Sequence, residues 1–225
     1  MRVLIGTVGY YAFVRGYPIG PAFMERLQRT LRSPGISIRE MNWGPIAIVQ
    51  QFESSAEVFD RVVLVGACDR GLPQGTVTLR RWLGGKLAAA AVQERVFEAV
   101  TGVIRLDNLL VIGEHFGIWP DETLCVEISL AESTLSDGIL AEVENGRAAG
   151  DGRIIGEQPL TAAAEALVER VVSETCRAAT SPLAELRELE PLTAHDLEPP
   201  PVVCRHHFAG DSKRLTPTAK PAMDR

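Results

Sequence analysis

The run Arg61-Val62-Val63-Leu64-Val65, closed by Gly66, sets the tightest limit on what this chain can fold into. Val62 to Val65 leave no polar face, so a strand built from them must be covered on both sides. Val3-Leu4-Ile5, closed by Gly6, reads the same way. Sheets covered on both faces are parallel sheets with helices on each side, and the sequence between the runs supplies helices. From Gly20-Pro21, the apolar residues Phe23, Met24, Leu27 and Leu31 recur three or four apart until Pro34-Gly35. Ile36 to Met41 alternates as a second strand, and Val49 to Phe59 predicts a short helix. Leu72-Pro73-Gln74-Gly75 is turn chemistry before an edge strand over Thr76 to Leu79. Residues 86–100 predict a helix, and Leu106, Leu109, Leu110 and Gly113 predict another that stops near Gly117. Leu124 to Leu130 predicts a strand, and Leu160, Ala164, Leu167, Val168, Val171 and Thr175 a last amphipathic helix. The expected fold is an α/β three-layer sandwich, with a mostly parallel central sheet of about five strands flanked by helices. Ligands of such sheets sit where loops leave the carboxyl ends of strands, here at 6–20, 66–75 and 131–158.

Composition adds a boundary and removes several functions. The 225 residues, 46% of them hydrophobic, can bury one ordinary core with chain to spare. Residues 179–225 hold seven of the 14 prolines and almost no apolar periodicity. The expected domain is therefore 1–178, followed by a Pro-rich C-terminal tail over 179–225, extended or disordered. A net charge of −6 with scattered Lys and Arg argues against nucleic acid. No apolar run approaches the length of a membrane span, so no membrane insertion is expected. Cys68, Cys125, Cys176 and Cys204 show no CxxC spacing, and Arg2 to Ile5 lacks the pattern of a signal peptide. Both features predict a reducing, cytoplasmic location.

Motifs that would carry chemistry are sparse. Gly6-Thr7-Val8-Gly9 follows a strand but lacks the third glycine of a dinucleotide loop. There is no GxxxxGK[ST] phosphate loop and no GxSxG elbow, and neither Ser129 nor Ser133 sits on a strand-to-helix turn. Cys68, just past the central strand, is either a nucleophile or a small buried filler. Glu114 and His115, at a helix end, read as a general base or as a solvated terminus. Glu94, Glu98 and Asp107 read as solvated helix faces. Cys204, His206 and His207 form a dense group of soft ligand types suited to zinc or nickel, but with no second ligand pair.

Several stretches together resemble the hydrogenase maturation endopeptidases, which trim the C-terminal extension of a nickel–iron hydrogenase large subunit. They are Val3-Leu4-Ile5-Gly6-Thr7-Val8-Gly9, Ile19-Gly20-Pro21, Asn42-Trp43-Gly44-Pro45, Arg61 to Ala67 with Leu72 to Val77, Leu109 to Gly113, Pro120-Asp121-Glu122 and Val126-Glu127-Ile128. The resemblance spans residues 1–178, with an insertion around 140–158. It implies three nickel-gripping side chains: an acidic residue shortly before the glycine opening the first helix, an aspartate ending the central strand, and a histidine before the later helix. Those positions hold Tyr17, Gly66 and Thr101. Glycine coordinates nothing, and threonine and neutral tyrosine hold divalent metals poorly. A cut guided by a metal needs that metal at a fixed distance from the scissile bond.

The resemblance with its ligand positions vacated implies a protease-like, non-catalytic binding or assembly factor, with a hydrogenase large subunit or related metalloenzyme subunit as partner and no cofactor. Tyr10, Tyr11, Tyr17, Trp43 and Asp69 are expected to face that partner, with the tail as an additional arm. The alternative is an active endopeptidase with relocated chemistry drawing on Asp69, Glu114, His115 or Cys204, His206 and His207. A third expectation, a small-molecule hydrolase or nucleotide-binding domain, rests on the Gly6–Gly9 loop alone.

Overall fold

The computed structural model of the chain describes residues 1–8, 19–41, 43–100, 105–129 and 162–197. Their strands form one six-stranded sheet in the order β2-β1-β3-β5-β4-β6. β1 (Val3–Val8), β2 (Ile36–Glu40), β3 (Arg61–Cys68) and β5 (Glu122–Ser129) run parallel, while β4 (Val77–Trp82) pairs antiparallel to β5. The short β6 (Pro191–Leu192) pairs parallel to β4. The sheet is thus mostly parallel, as the apolar runs require, and β3 lies inside it between β1 and β5. All of Arg61 to Gly66 is buried.

Helices cover both faces. α1 (Ile19–Thr30) and α5 (Ala162–Thr180) pack Phe23, Leu27, Leu167, Val168 and Val171 against Val3, Ile5, Val63, Val65 and Val126. α2 (Pro45–Ser54), α3 (Ala89–Val100) and α4 (Leu106–His115) cover the other face, with Ile48, Val92, Leu106, Leu109 and Leu110 against Leu4, Val8, Val62, Leu64 and Cys125. Alternate residues of each strand go to opposite layers because the side-chain period of a strand is two. α2 begins earlier than the apolar spacing predicts, since Pro45 occupies its first turn after the cap Gly44. α4 stops where the sequence placed its end. Gly117, at φ +67°, donates to Glu114 O at 3.0 Å, and Ile118 N to Gly113 O at 3.0 Å, a Schellman closure.

β6 lies outside β4 but pairs with it only at Arg81 and Trp82, so the expected edge at Thr76 to Leu79 has no strand on its outer side among the described residues. One expectation needs correction: an extended tail does not begin at 179. That boundary falls inside α5, and the chain continues through a one-turn helix α6 (Leu183–Leu186), β6 and a 3₁₀ turn (Ala194–Leu197). Leu83 N donates to Leu192 O at 2.9 Å, Arg81 N to Glu190 O at 3.0 Å and Ala194 N to Gly84 O at 2.9 Å. Leu186, Leu192, Ala194 and Leu197 are buried, so apolar contacts outweigh the prolines over this stretch. Residues 198–225 and the insertion at 140–158 lie outside the described residues. Among the described residues no helix is long and apolar enough to cross a membrane.

Candidate functional site

The carboxyl ends of β3 and β5 meet at the place where α/β sheets hold their ligands. Pairing sets Gly66 beside Glu127 and Cys68 beside Ser129. Glu127 shares the α4-facing side of β5 with Cys125 and is 1% exposed, so it needs a partner charge. Arg70, two residues past β3, supplies it: Nη2 donates to Glu127 Oε1 at 2.6 Å and Nε to the same oxygen at 3.2 Å. The same guanidinium donates to Asp107 from Nη1 at 2.9 Å and from Nη2 at 2.6 Å. Asp107 stands in the first turn of α4, where a carboxylate is favoured by the helix dipole. Arg80, from β4, brings Nε to 3.6 Å from Glu127 Oε2 and Nη2 to 3.1 Å from Glu190. Glu127 Oε2 and Arg80 Nε are buried and make no hydrogen bond among the described residues.

Charge and burial determine the chemistry of this constellation. Desolvation acts to lower the pKa of Arg70, but its bonds to Asp107 and Glu127 outweigh it and the value rises. The guanidinium is thus a permanent internal cation between two carboxylates. Cys68 goes the other way from what a nucleophile needs. Burial, followed by the charges of Glu127 and Asp107, pushes its thiol from 9.0 to about 12, with Arg70 and Arg80 opposing. A neutral thiol is a poor nucleophile. Cys125 is buried and raised well above its ordinary value, chiefly by desolvation.

Gly66 has a steric reason to be glycine. A Cβ there would stand 3.1 Å from Val8 O and 3.2 Å from Leu106 Cβ, closer than side chains normally pack. The room is taken by the first residue of α4. Gly6 and Thr7 lie within β1, and a Cβ at Gly6 would strike the Met41 thioether, so that glycine serves packing and not a phosphate loop.

The remaining sequence candidates are dispersed. Asp69 is exposed and turns back on its own loop, Oδ1 accepting from Gly71 N at 3.1 Å. Trp43 is 43% exposed just before α2. Glu114 Oε2 accepts from Trp82 Nε1 at 2.9 Å, and His115 stacks edge-on against Phe116 at 5.2 Å. Both sit at the C-terminus of α4, about 12 Å along the helix from Asp107. Tyr10, Tyr11, Tyr17, Thr101, Cys204, His206 and His207 lie outside the described residues. Among the described residues no three His, Cys, Asp or Glu side chains are grouped to hold a metal ion.

Arg70, Asp107 and Glu127 carried no motif. Asp107 reads from sequence as a solvated helix face, yet its side chain is 20% exposed and doubly bonded to Arg70. The one visible signal was Glu127 itself, an acidic residue between Val126 and Ile128 in an apolar strand. Its two cationic partners, Arg70 and Arg80, come from a loop and a strand 57 and 47 residues away, which no local pattern links.

No family model matches the sequence, and no curated protein matches it. Among solved structures the chain is similar to a hydrogenase 2 maturation peptidase from a Thaumarchaeota archaeon, at 16% identity and TM-score 0.33, covering 67% of this chain and 99% of that one. It is similar to a hydrogenase 3 maturation protease at 13% identity and TM-score 0.32, covering 64% and 87%. It is also similar to the endopeptidase HycI from Escherichia coli at 15% identity and TM-score 0.33, covering 71% and 100%.

Proposed function

We propose that this chain is a protease-like, non-catalytic binding or assembly factor for a nickel–iron hydrogenase large subunit or a related metalloenzyme subunit. The observation that carries this reading is the filled carboxyl edge of β3. Gly66 stands where the resembling family ends its central strand on aspartate, and Val8 O and Leu106 close the space a side chain would enter. Beside it the Arg70 guanidinium is clamped by Asp107 and Glu127. The nearby thiol is held protonated, and Glu114 is engaged by Trp82. A partner would be met by Trp43 and Asp69, which are exposed at this edge, with Tyr10, Tyr11 and Tyr17 as further contacts.

The test mixes the purified full chain with the immature large subunit and follows size-exclusion co-elution and intact mass. The expected outcome is a complex in which the mass of the large subunit is unchanged. A shortened subunit establishes the endopeptidase alternative instead, and absence of both co-elution and any effect on maturation removes the reading.

A further inference from the structure

Over its first half β4 has one side without a partner. Backbone groups of a strand point alternately to its two neighbours, and Arg81 N and Leu83 N mark the odd positions as the outward ones. They donate to Glu190 O at 3.0 Å and to Leu192 O at 2.9 Å. β6 pairs with Arg81 and Trp82 only. Val77 and Leu79 therefore each present an N–H and a C=O outward, with no backbone partner there among the described residues. Such edges are normally blunted by proline, lysine or a bulge. Thr76-Val77-Thr78-Leu79 has no proline and no charge, and Val77 to Arg81 pair with β5 in unbroken register. Beside this edge, between the start of β4 and α5, lies a cavity of about 390 Å³ lined by Gln74, Val77, Arg170, Ser173 and Glu174, among others. Its charge is one-sided. Glu174 is held by Arg177 at 2.6 Å. Exposed Arg170 donates from Nη2 to Gly75 O at 3.1 Å and bonds to no carboxylate among the described residues. Arg81 Nε, on the same face of β4 as Val77 and Leu79, is buried and makes no hydrogen bond among the described residues.

We propose that this edge adds an extended, acidic peptide segment of a partner protein as a further strand of the sheet, opposite Val77 to Leu79. The peptide backbone exchanges hydrogen bonds with the outward groups of those two residues, which supplies affinity. Its alternate side chains fall over the cavity, which supplies selection. The cavity has room for them, its volume lying within the range of about 300–1,000 Å³ that holds small ligands. An acidic side chain there meets Arg170, whose charge no carboxylate of the described fold neutralises, and a basic one is repelled by it. This edge is formed by β4 and α5 alone, and its binding does not depend on what the carboxyl edge of β3 meets.

The test titrates the full chain into two fluorescein-labelled peptides, one alternating Val with Glu and the other Val with Lys, and follows fluorescence anisotropy. The acidic peptide is expected to bind about fivefold more tightly, the worth of one exposed ion pair. Nonspecific attraction to a chain of net charge −6 would favour the basic peptide instead. Arg170→Glu is expected to reverse the order. Val77→Pro removes an outward donor at the first residue of the strand, where sheets tolerate proline, and is expected to weaken the acidic peptide about tenfold. Binding of neither peptide, equal binding of both, or a preference that Arg170→Glu leaves unchanged overturns the proposal. So does wild-type affinity in folded Val77→Pro, or a dimer of the chain alone that this variant converts to monomer, which assigns the edge to a second copy. If far-UV circular dichroism shows Val77→Pro unfolded, the exposed Arg170→Glu carries the decision.

Discussion

At the scale of single residues, three positions determine what the carboxyl edge can do. If Gly66 were merely a vacated ligand position, Gly66→Asp would be tolerated. Because Val8 O and Leu106 Cβ press on the Cβ position beside buried Glu127, the substitution is expected to destabilise by at least about 1–3 kcal/mol in urea unfolding, the usual cost of overpacking. Wild-type stability in that variant would show the space to be open. Arg70→Ala removes both hydrogen bonds to Glu127, 1% exposed, leaving it only Arg80 at 3.6 Å, and is expected to cost about 3 kcal/mol. Adding Glu127→Gln to Arg70→Met should recover part of that loss, which a double-mutant cycle would read as coupling. Cys68 gives a pH signature. Its thiol titrates at about 12 in the fold against 9.0 ordinarily, so the folded state keeps a proton that the unfolded chain releases. The stability this contributes is full below pH 9 and is lost as pH rises toward 12. Cys125 acts in the same direction. The urea midpoint should therefore fall between pH 8 and 10, and fall less in Cys68→Ser; equal slopes would mean the thiol titrates normally.

At the scale of elements, Arg61 does what no sequence pattern announced. It opens the apolar run that marks β3, yet its side chain is 1% exposed and closes the C-terminus of α5, donating from Nη1 to Ala178 O at 3.0 Å, Ala179 O at 3.3 Å and Ser181 O at 2.9 Å. Nε donates to Glu122 Oε2 at 2.8 Å. A cation at a helix C-terminus satisfies carbonyls that have no partner within the helix. Arg61→Ala is expected to cost about 3 kcal/mol, lowering Tm by about 6–12 °C. Arg61→Lys should rescue little, since an ammonium lacks the planar fork that bonds to carbonyls and carboxylate at once; full rescue would reduce the role to charge alone. The strands and long helices were legible because burial writes its period into sequence: the run at 62–65 for β3, and the spacing of Leu167, Val168 and Val171 for α5. The ion network was not, since Arg70, Asp107 and Glu127 sit on three elements and become neighbours through strand pairing and helix docking. The segment 183–197 was not legible either. Its elements are two to four residues long, too short for any period, and what holds them is backbone pairing to Leu83 and Gly84.

At the scale of the whole molecule, that segment joins the two halves of the core. Leu186 packs in the layer under α1 and α5, whereas Leu192, Ala194 and Leu197 pack in the layer under α2, α3 and α4. The chain leaves α5 on one face, extends the sheet beyond β4, and ends its described course against α4, so neither layer can open without breaking this strap. Trp43, Trp82 and Trp119 are the chain's three tryptophans. Trp82 belongs to the second layer and Trp119 packs against it, so fluorescence reports mainly on that layer while far-UV circular dichroism reports on both. If the strap couples them, urea unfolding followed by the two signals should give coincident transitions. Leu192→Ala, emptying a fully buried site, should lower both midpoints together by an amount equivalent to about 2–5 kcal/mol. Were fluorescence to shift while circular dichroism kept its midpoint, the layers would be unfolding separately and the strap would be peripheral to the fold.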